Sequence, residues 1–238
     1  MKKAILTGHS KGLGKALALA LLNEDFDVLG ISRSRSQDLN GLQQVMLDLS
    51  DSSALLEWVE SGMLSSFLAG AEQAILINNS GVVSPVNPLG KQANEDIVRS
   101  VDLNISAPLV LSNSFVENTQ EALDRRILHI SSGAGRVAYA SWSVYCATKA
   151  ALDHHARTVN EDGVPRLKIS SIAPGIVDTG MQAEIRSCNA DEFPQVKAFQ
   201  SFKEEGDLAS PEETAAKITK ILLSSAFGED LITDVRDY

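Results

Sequence analysis

A tyrosine and a lysine four positions apart are the first pair of residues in the sequence that could do chemistry together. Tyr145 and Lys149 lie in the segment Tyr-Cys-Ala-Thr-Lys, and on a helix this spacing places both side chains on one face. A free phenol has a pKa of about 10 and is a poor acid–base group at neutral pH. A nearby cation lowers that pKa, so the pair predicts proton transfer to or from a small molecule.

Several polar residues directly follow predicted strands or interrupt an apolar helix. Ser132 stands thirteen residues before Tyr145, just after a predicted strand, and the segment Asn-Asn-Ser-Gly at 78–81 ends another. Because ligands of parallel sheets bind at the carboxyl ends of the strands, we expect Ser132 and Tyr145 to face one crevice. Asn104 lies within the apolar stripe of a predicted helix, where a buried amide needs partners.

A glycine-rich turn lies between the first predicted strand and the first predicted helix. Residues 7–14 read Thr-Gly-His-Ser-Lys-Gly-Leu-Gly, which gives a tight turn without Cβ atoms in front of a helix N-terminus. Such a terminus offers free N–H groups and the positive end of the helix dipole to a phosphate. The pattern is weak alone, and its place between strand and helix strengthens it.

The same turn also spells Gly-x-Ser-x-Gly at 8–12, the nucleophile elbow of α/β-hydrolases. That interpretation requires an earlier strand and loop to supply part of the oxyanion hole. Only seven residues precede Gly8, so we expect a dinucleotide site rather than a hydrolase.

The end of the second predicted strand indicates which dinucleotide is bound. Enzymes that use NAD place an acidic residue there for the ribose 2′-hydroxyl, but this strand ends Ser32-Arg33-Ser34-Arg35. Arg33 and Lys11 can neutralise a 2′-phosphate, and the arginine guanidinium suits bidentate phosphate binding. The sequence therefore favours NADP(H), with Arg35 as a further cation near the same pocket.

Predicted strands alternate with helix-length segments throughout the chain. Several strands are apolar at consecutive positions, which is typical of parallel strands covered on both faces. The rhythm predicts a single α/β domain over residues 1–238, a Rossmann-type doubly wound parallel sheet of about seven strands with helices on both faces. The strands are expected at 3–7, 27–32, 45–48, 73–78, 126–130, 167–172 and 230–233.

An insertion at about 180–210 breaks this rhythm and contains scattered Met and Phe residues. Long insertions in compact domains often form lids or binding loops, although a pair of solvated surface helices is the alternative. Together with Tyr139 and Trp142, Met181 of this insertion predicts an apolar, partly aromatic substrate pocket. The alternative for the two aromatic residues is packing in the core or an interface.

Composition excludes other classes of function. The chain carries 21 Lys and Arg against 31 Asp and Glu, a net charge of −10, which argues against nucleic acid as a partner. No apolar run is long enough to cross a membrane or to act as a signal peptide, and two cysteines give no disulfide framework. No His or Cys has metal-ligand spacing. We therefore expect a cytoplasmic protein that uses no metal.

Taken together, these motifs resemble the short-chain dehydrogenase/reductase family in order and spacing along nearly the whole chain. Ser80 departs from the family pattern, where Ala is usual, which is a small-for-small change. A closer likeness to bacterial benzil reductases, of the sepiapterin-reductase-like branch, lies in segments 131–135, 145–149, 174–187, 203–206 and 210–212. The family resemblance implies a homodimer or homotetramer, often formed through the helices that hold Asn104 and Tyr145.

The resemblance also implies a role for each matching residue. Tyr145 donates a proton to the carbonyl oxygen, Lys149 lowers the Tyr145 pKa and binds the nicotinamide ribose, Ser132 polarises the carbonyl, and Asn104 holds a water. Asp48 accepts from the adenine amino group, and Val177 and Thr179 hold the carboxamide. The full set of expected cofactor-binding residues is Gly8, Ser10, Lys11, Gly12, Leu13, Gly14, Ser32, Arg33, Asp48, Asn79, Ser80, Gly81, Tyr145, Lys149, Pro174, Gly175, Val177 and Thr179.

The predicted activity is NADPH-dependent reduction of a hydrophobic ketone or a vicinal diketone such as benzil. Ser132, Tyr139, Trp142, Tyr145 and Met181 are the expected substrate-binding residues. The alternative is a catalytically silent protein of the same fold that senses NADP. Such a protein has no reason to retain Asn104, Ser132, Tyr145 and Lys149 together.

Overall fold

Seven parallel strands form the centre of the computed structural model, which describes all residues 1–238. Their order across the sheet is β3-β2-β1-β4-β5-β6-β7. Strands β2 and β3 are added on one side of β1 and strands β4 to β7 on the other, so the strand order reverses between β1 and β4. The fold is therefore the doubly wound Rossmann type that the sequence predicts. The strands are β1 Lys2–Thr7, β2 Asp27–Ser32, β3 Gln43–Met46, β4 Gln73–Asn78, β5 Asp124–Ile130, β6 Leu167–Ala173 and β7 Ile232–Asp234.

Helices cover both faces of the sheet, which explains why the strands are apolar at consecutive positions. Helices α1 and α9 share one apolar core, and α2, α3, α5 and α6 pack against the opposite face. None of the helices is long and apolar enough to cross a membrane. The helices are α1 Gly12–Asn23, α2 Ser52–Glu60, α3 Met63–Leu68, α4 Asn94–Val101, α5 Ala107–Asn118, α6 Ser143–Glu161, α7 Gly180–Ser187, α8 Val196–Glu204 and α9 Pro211–Leu223.

Three local features differ from the sequence-based expectations. Strand β3 ends two residues earlier than predicted, at Met46, and the chain then turns so that the Asp48 carboxylate accepts from the Ser50 backbone N–H at 3.0 Å. A π-helical turn, Asp102–Ser106, joins α4 to α5 in what the apolar stripe predicts as one regular helix. The 180–210 insertion contains the two helices α7 and α8, whose inner faces join a third apolar cluster instead of lying free in solvent.

Candidate active site

The glycine-rich turn brings the start of α1 directly against the end of β1. Gly8 has a φ of +74°, in the left-handed region that favours glycine. Its N–H donates to the Ile31 carbonyl at 2.7 Å. A Cβ on Gly14 would lie 2.1 Å from the Gly8 carbonyl oxygen, so only glycine permits this contact. Helix α1 begins without a side-chain cap, and its first N–H groups therefore remain available for a phosphate.

The segment after β4 is fixed by a single threonine at the end of β1. The Thr7 hydroxyl accepts from the backbone N–H groups of Asn79 and Ser80, at 2.9 Å each, and the Asn79 side-chain amide donates to the Thr7 carbonyl at 2.9 Å. These bonds hold Asn79, Ser80 and Gly81 along the floor of the cleft.

Basic side chains and serine hydroxyls lie at the end of the cleft that adjoins the carboxyl end of β2. Lys11, Arg33, Ser10 and Ser32 line it, whereas Arg35 is exposed and lies outside the lining. Asp48 lines the same end. Partial burial raises the pKa of Asp48, but hydrogen bonds from Ser50 and the charges of Arg99 and Arg33 outweigh it and leave that pKa below its ordinary value. A carboxylate acceptor therefore stands where the resemblance places the adenine.

His9 and Ser10 of the glycine-rich turn contact neighbouring residues of the protein. The His9 ring is buried against Gly30, where a Cβ would lie 2.5 Å from the ring, and its Nε2 lies 2.9 Å from Gln44 Oε1. It therefore has a structural role. Ser10 accepts from the Ser34 hydroxyl at 3.3 Å and has no histidine partner, so the geometry gives no support to a hydrolase nucleophile.

Tyr145 and Lys149 lie on α6, and Ser132 precedes a single 3₁₀ turn, Gly133–Gly135, that packs against this helix. The tyrosine and lysine are 6% and 4% exposed. The Lys149 ammonium donates to the Ile130 carbonyl at 2.8 Å and lies 5.7 Å from the centre of the Tyr145 ring. The three side chains line one cleft at the carboxyl edge of the sheet.

Burial has the largest effect on the pKa values of Tyr145 and Lys149. It raises the pKa of Tyr145 to about 12, against the smaller opposing effect of a hydrogen bond with Ser132. It lowers the pKa of Lys149 to about 8, while the Asp153 carboxylate acts in the other direction. The expectation was a Tyr145 pKa lowered by Lys149, so the direction differs. A fully protonated phenol at neutral pH suits a proton donor.

Asn104 lies behind the cleft and not in its wall. Its side chain is fully buried in the π-helical turn, accepts from the Val82 N–H at 3.0 Å and donates to the Val82 carbonyl at 2.9 Å. It also donates to Thr148 of α6 at 3.2 Å. A Cβ on Gly81 would lie 3.2 Å from the Asn104 oxygen and 3.6 Å from the Lys149 nitrogen. Asn104 thus ties the segment after β4 to the helix that carries Tyr145 and Lys149.

Aromatic side chains form the substrate end of the cleft. Trp142 stacks on Phe193 at 4.8 Å between ring centres and meets Tyr145 edge-on at 5.4 Å. The sulfur of Met181 lies 4.0 Å from the Tyr145 hydroxyl, and Tyr139 lies 5.1 Å from Trp142. Trp142 is buried in an apolar cluster and also lines the cleft, so core packing and pocket formation both apply to it.

The segment after β6 forms the base of the 180–210 insertion. Pro174, Gly175, Val177 and Thr179 line the cleft there. Backbone hydrogen bonds at 3.0 Å join Asp178 and Ile176 to Ala209, and the Asp178 carboxylate pairs with Lys203 of α8 at 2.5 Å. Both ends of the insertion are therefore pinned beside the cleft.

Sequence reasoning missed part of the cleft wall. Asp234, the last residue of β7, and Arg236, two residues further on, line it and pair with each other at 2.7 Å. The rule that ligands bind at strand ends could have found them, since β7 ends beside β6. Motifs gave no signal for Gln182, Gln195 and Ala198 of the insertion, or for lining residues between the motifs such as Leu47, Val82 and Leu103. The insertion's Phe199 and Phe202 line the cleft as its predicted apolar character suggests.

One continuous cleft of about 690 Å³ joins these features. It contains every residue predicted from the sequence to bind cofactor or substrate, and of the predicted catalytic residues only Asn104 lies outside it. The glycine-rich turn and the cations occupy one end, and Tyr145 with the aromatic wall occupies the other. A buried proton donor and an anion-binding helix N-terminus in one cleft fit a nicotinamide dinucleotide.

The chain belongs to the short-chain dehydrogenase family, whose sequence model matches residues 2–190. It is therefore an oxidoreductase of a family that acts on CH–OH and C=O groups with a nicotinamide cofactor.

The predicted resemblance to benzil reductases is confirmed. A benzil reductase ((S)-benzoin forming) from Bacillus cereus is 38% identical over 240 residues, covering 95% of this chain and 96% of its own. A protein of the same name from Bacillus subtilis is 32% identical, with both chains fully covered. The crystal structure of a short-chain dehydrogenase/reductase from Burkholderia vietnamiensis has a TM-score of 0.72 and 43% identity, covering 99% of this chain and 97% of its own.

Proposed function

We propose that this protein is an NADPH-dependent carbonyl reductase that reduces a hydrophobic ketone or a vicinal diketone such as benzil. The observation that carries the proposal is one cleft that holds Ser132, Tyr145 and Lys149 between a phosphate-binding turn and an aromatic wall. The benzil reductase relatives support the diketone, because they cover nearly the whole chain.

The cofactor is held by residues along the whole cleft. The turn from Gly8 to Gly14 and the N-terminus of α1 bind the pyrophosphate, and Lys11 with Arg33 binds the 2′-phosphate. Asp48 accepts from the adenine, and Val177 and Thr179 hold the carboxamide. When bound, the nicotinamide supplies the hydride.

Ser132 and Tyr145 act on the substrate oxygen. Both hydroxyls donate to the carbonyl, which polarises it and stabilises the negative charge that develops on its oxygen. The Tyr145 proton then transfers to that oxygen as the alcohol forms. Lys149, held by the Ile130 carbonyl at 2.8 Å, keeps a positive charge beside the phenol and stabilises the phenolate that remains.

The preference for NADPH rests on the end of β2. Ser32, Arg33 and Ser34 line the cleft there, and no acidic residue stands at the strand end to receive a ribose 2′-hydroxyl. The alternative function, a catalytically silent NADP sensor, uses the same cofactor contacts. Turnover distinguishes the two.

We further propose that the chain acts in the cytoplasm as a homodimer or homotetramer, without nucleic acid or membrane partners. The net charge of −10 supports the absence of nucleic acid. Two exposed valines on α4, Val98 and Val101, support self-association.

Loss of NADPH absorbance in the presence of benzil tests the proposed function. We expect turnover by the wild-type protein and a fall in kcat of about 10²–10⁴-fold in Tyr145→Phe, since the general acid is lost. Tyr238→Phe is the matched control, because Tyr238 lies outside the cleft and its hydroxyl donates to the exposed Asp230 carboxylate at 3.1 Å. Wild-type binding of NADPH without turnover of any ketone would favour the sensor, and full activity in Tyr145→Phe would exclude the assigned mechanism.

A further inference from the structure

Gln182, on helix α7, carries a buried hydrogen-bond donor without a partner. The residue is 4% exposed and lines the cleft. Its Oε1 accepts from Arg186 at 3.0 Å, whereas its Nε2 has no partner in the protein. Because arginine can only donate, the amide oxygen must face Arg186, and the unpaired atom is the NH₂ group.

Gln182 lies in the wall of the cleft near its substrate end. The preceding residue, Met181, has its sulfur 4.0 Å from the Tyr145 hydroxyl. Ile185, three residues further along the same helix face, packs in the apolar cluster that contains Trp142 and Tyr145. Gln182 therefore belongs to the part of the wall that surrounds the proton donor.

Buried N–H groups without partners are rare in folded proteins, and each one needs an explanation, such as strain, an ordered water or a bound ligand. The cleft wall contains a second one, the indole Nε1 of Trp142. The carbonyl that is reduced already receives two hydrogen bonds, from Ser132 and Tyr145. A further donor beside this pair suits a second acceptor atom on the same substrate.

The orientation of the Gln182 amide is set by the charges at the base of the insertion. Arg186 lies 3.9 Å from the Asp178 carboxylate, which also pairs with Lys203 at 2.5 Å. This ion pair holds the guanidinium against the amide oxygen. The NH₂ group is thereby fixed as a donor before any substrate arrives, which lowers the cost of binding.

We propose that Gln182 is a specificity-determining residue whose NH₂ group binds a second oxygen of the substrate, next to the carbonyl that is reduced. This inference rests on the proposed function and narrows its substrate class to vicinal dicarbonyls and α-oxygenated ketones. A site built to hydrogen-bond a substrate group discriminates strongly against an analogue that lacks it, because the buried donor stays unpaired.

Two substrates of nearly the same shape test the inference: benzil and deoxybenzoin, in which a CH₂ group replaces one carbonyl. The measured quantity is the ratio of kcat/KM for benzil to kcat/KM for deoxybenzoin. Benzil is intrinsically more reactive, so the change in this ratio between variants is informative and its wild-type value is not. A partly misfolded variant does not distort the ratio, since both substrates meet the same active fraction.

Gln182→Met removes the donor at nearly constant volume, and we expect it to lower the ratio about tenfold, which corresponds to loss of one hydrogen bond of about 1.4 kcal/mol. Gln182→Glu places an acceptor against the second oxygen and should lower it further. Gln200→Met is the matched control, because Gln200 of α8 lies outside the cleft and its amide already donates to the Arg186 carbonyl at 3.2 Å. It should keep the wild-type ratio.

An unchanged ratio in both Gln182 variants overturns the inference, whether or not the separate rates fall. A raised KM for NADPH with an unchanged ratio does so as well, since the amide then serves the cofactor. These results differ from failure of the proposed function, in which the wild-type protein reduces neither ketone.

Discussion

Lys149 is the residue whose protonation should set the alkaline limit of activity. Burial lowers its pKa to about 8, and burial raises the pKa of Tyr145 to about 12. Below pH 8 the lysine is charged and supports the phenolate that forms during proton transfer. Above pH 8 that charge is lost while the phenol stays protonated. We therefore expect kcat/KM for ketone reduction to fall by about tenfold per pH unit above pH 8.

A pH–rate profile with saturating NADPH checks this expectation. In Lys149→Arg the side chain keeps its charge throughout the accessible range, so whatever activity remains should lack the fall above pH 8. A wild-type rate that stays level to about pH 10 would contradict a lowered Lys149 pKa as the alkaline limit of activity.

Arg33 should determine the choice between NADPH and NADH. It lines the cleft at the end of β2, where we propose that its guanidinium pairs with the 2′-phosphate. Replacing it with Asp removes that attraction and supplies an acceptor for a ribose hydroxyl. We expect Arg33→Asp to reduce the ratio of kcat/KM for NADPH over NADH by about 10–100-fold.

Arg35→Asp provides the comparison for this change of charge. Arg35 is two positions along the same loop, exposed and outside the cleft. Its replacement alters the net charge equally but removes no contact in the pocket, so cofactor preference should change little. Equal effects of the two substitutions would mean that long-range charge, and not contact with the phosphate, sets the preference. A wild-type protein that prefers NADH would contradict the proposed pocket.

Strand β5 and helix α6 are joined by two histidines whose pairing should respond to pH. The Ser112 hydroxyl donates to the Pro108 carbonyl at 2.6 Å and therefore accepts from the Asn78 NH₂ group at 3.3 Å. The same NH₂ group donates to Nδ1 of His129 at 3.2 Å. His129 must then carry its proton on Nε2, which lies 3.0 Å from Nδ1 of His155. Burial, followed by the charges of His155 and Lys149, lowers the pKa of His129 to about 3.

A histidine that is neutral when folded and charged when unfolded destabilises the fold in acid. Its contribution to stability is complete above the unfolded pKa of about 6.5 and is lost as the pH falls toward about 3. Within that window the free energy of unfolding should decrease by about 1.4 kcal/mol per pH unit for this one group. Denaturant titrations between pH 7 and pH 4 measure the slope.

His129→Gln removes the titrating ring, so the slope should become shallower even though the variant is less stable at pH 7. His154→Gln, at an exposed neighbouring position of α6, should keep the wild-type slope. A slope unaffected by His129→Gln would contradict this assignment of the acid sensitivity. Carboxylates such as Asp124 and Asp234, whose pKa values their arginine partners lower against the effect of burial, lose their contribution to stability at lower pH.

The regular elements were predictable because local pattern and tertiary structure agree. Consecutive apolar residues marked the strands of the sheet, and the segments between them had helical length. The short helix α3 and the π-helical turn had no such pattern. The turn depends on Asn104, whose amide bonds to Val82 and Thr148 across the fold, and a single sequence does not display contacts between distant segments.

The candidate site likewise contains residues that the sequence predicts and residues that it does not. Gly8, Ser132, Tyr145 and Lys149 were predictable, because each belongs to a motif whose spacing has a local physical reason. Gln182 was not, since its importance lies in an amide left unpaired after the insertion has folded against the cleft. Its single local signal is the spacing to Arg186, which fits many surface helices equally well.

The distribution of charge over the molecule explains how an acidic protein can bind a polyanion. Residues 1–23 contain four lysines and no acidic residue, whereas residues 184–238 contain 12 acidic and six basic residues. Lys11 and Arg33 therefore form a local basic pocket at one end of the cleft. A field focused in a cleft can attract a small anion despite an unfavourable net charge, and nucleic acid, which needs an extended basic surface, gains nothing from it.

At the scale of the whole molecule, we also expect self-association. Helix α4 exposes Val98 and Val101, at 60% and 36%, three positions apart on one face. The same helix leads into the turn that holds Asn104, so a partner packed on it would also stabilise the site from behind. We expect the wild-type chain of 25.5 kDa to form a dimer or tetramer in analytical ultracentrifugation.

Val98→Asp combined with Val101→Asp should weaken that assembly, because two charges then have to be buried in the contact. Leu123→Asp is the control, because Leu123 is an exposed apolar residue that directly precedes β5 and lies outside α4, and it should leave the assembly intact. If the double variant dissociates and loses benzil turnover together, assembly supports the site. A wild-type protein that is monomeric at micromolar concentration would exclude self-association. A double variant that assembles as the wild type does would place the contact on another surface.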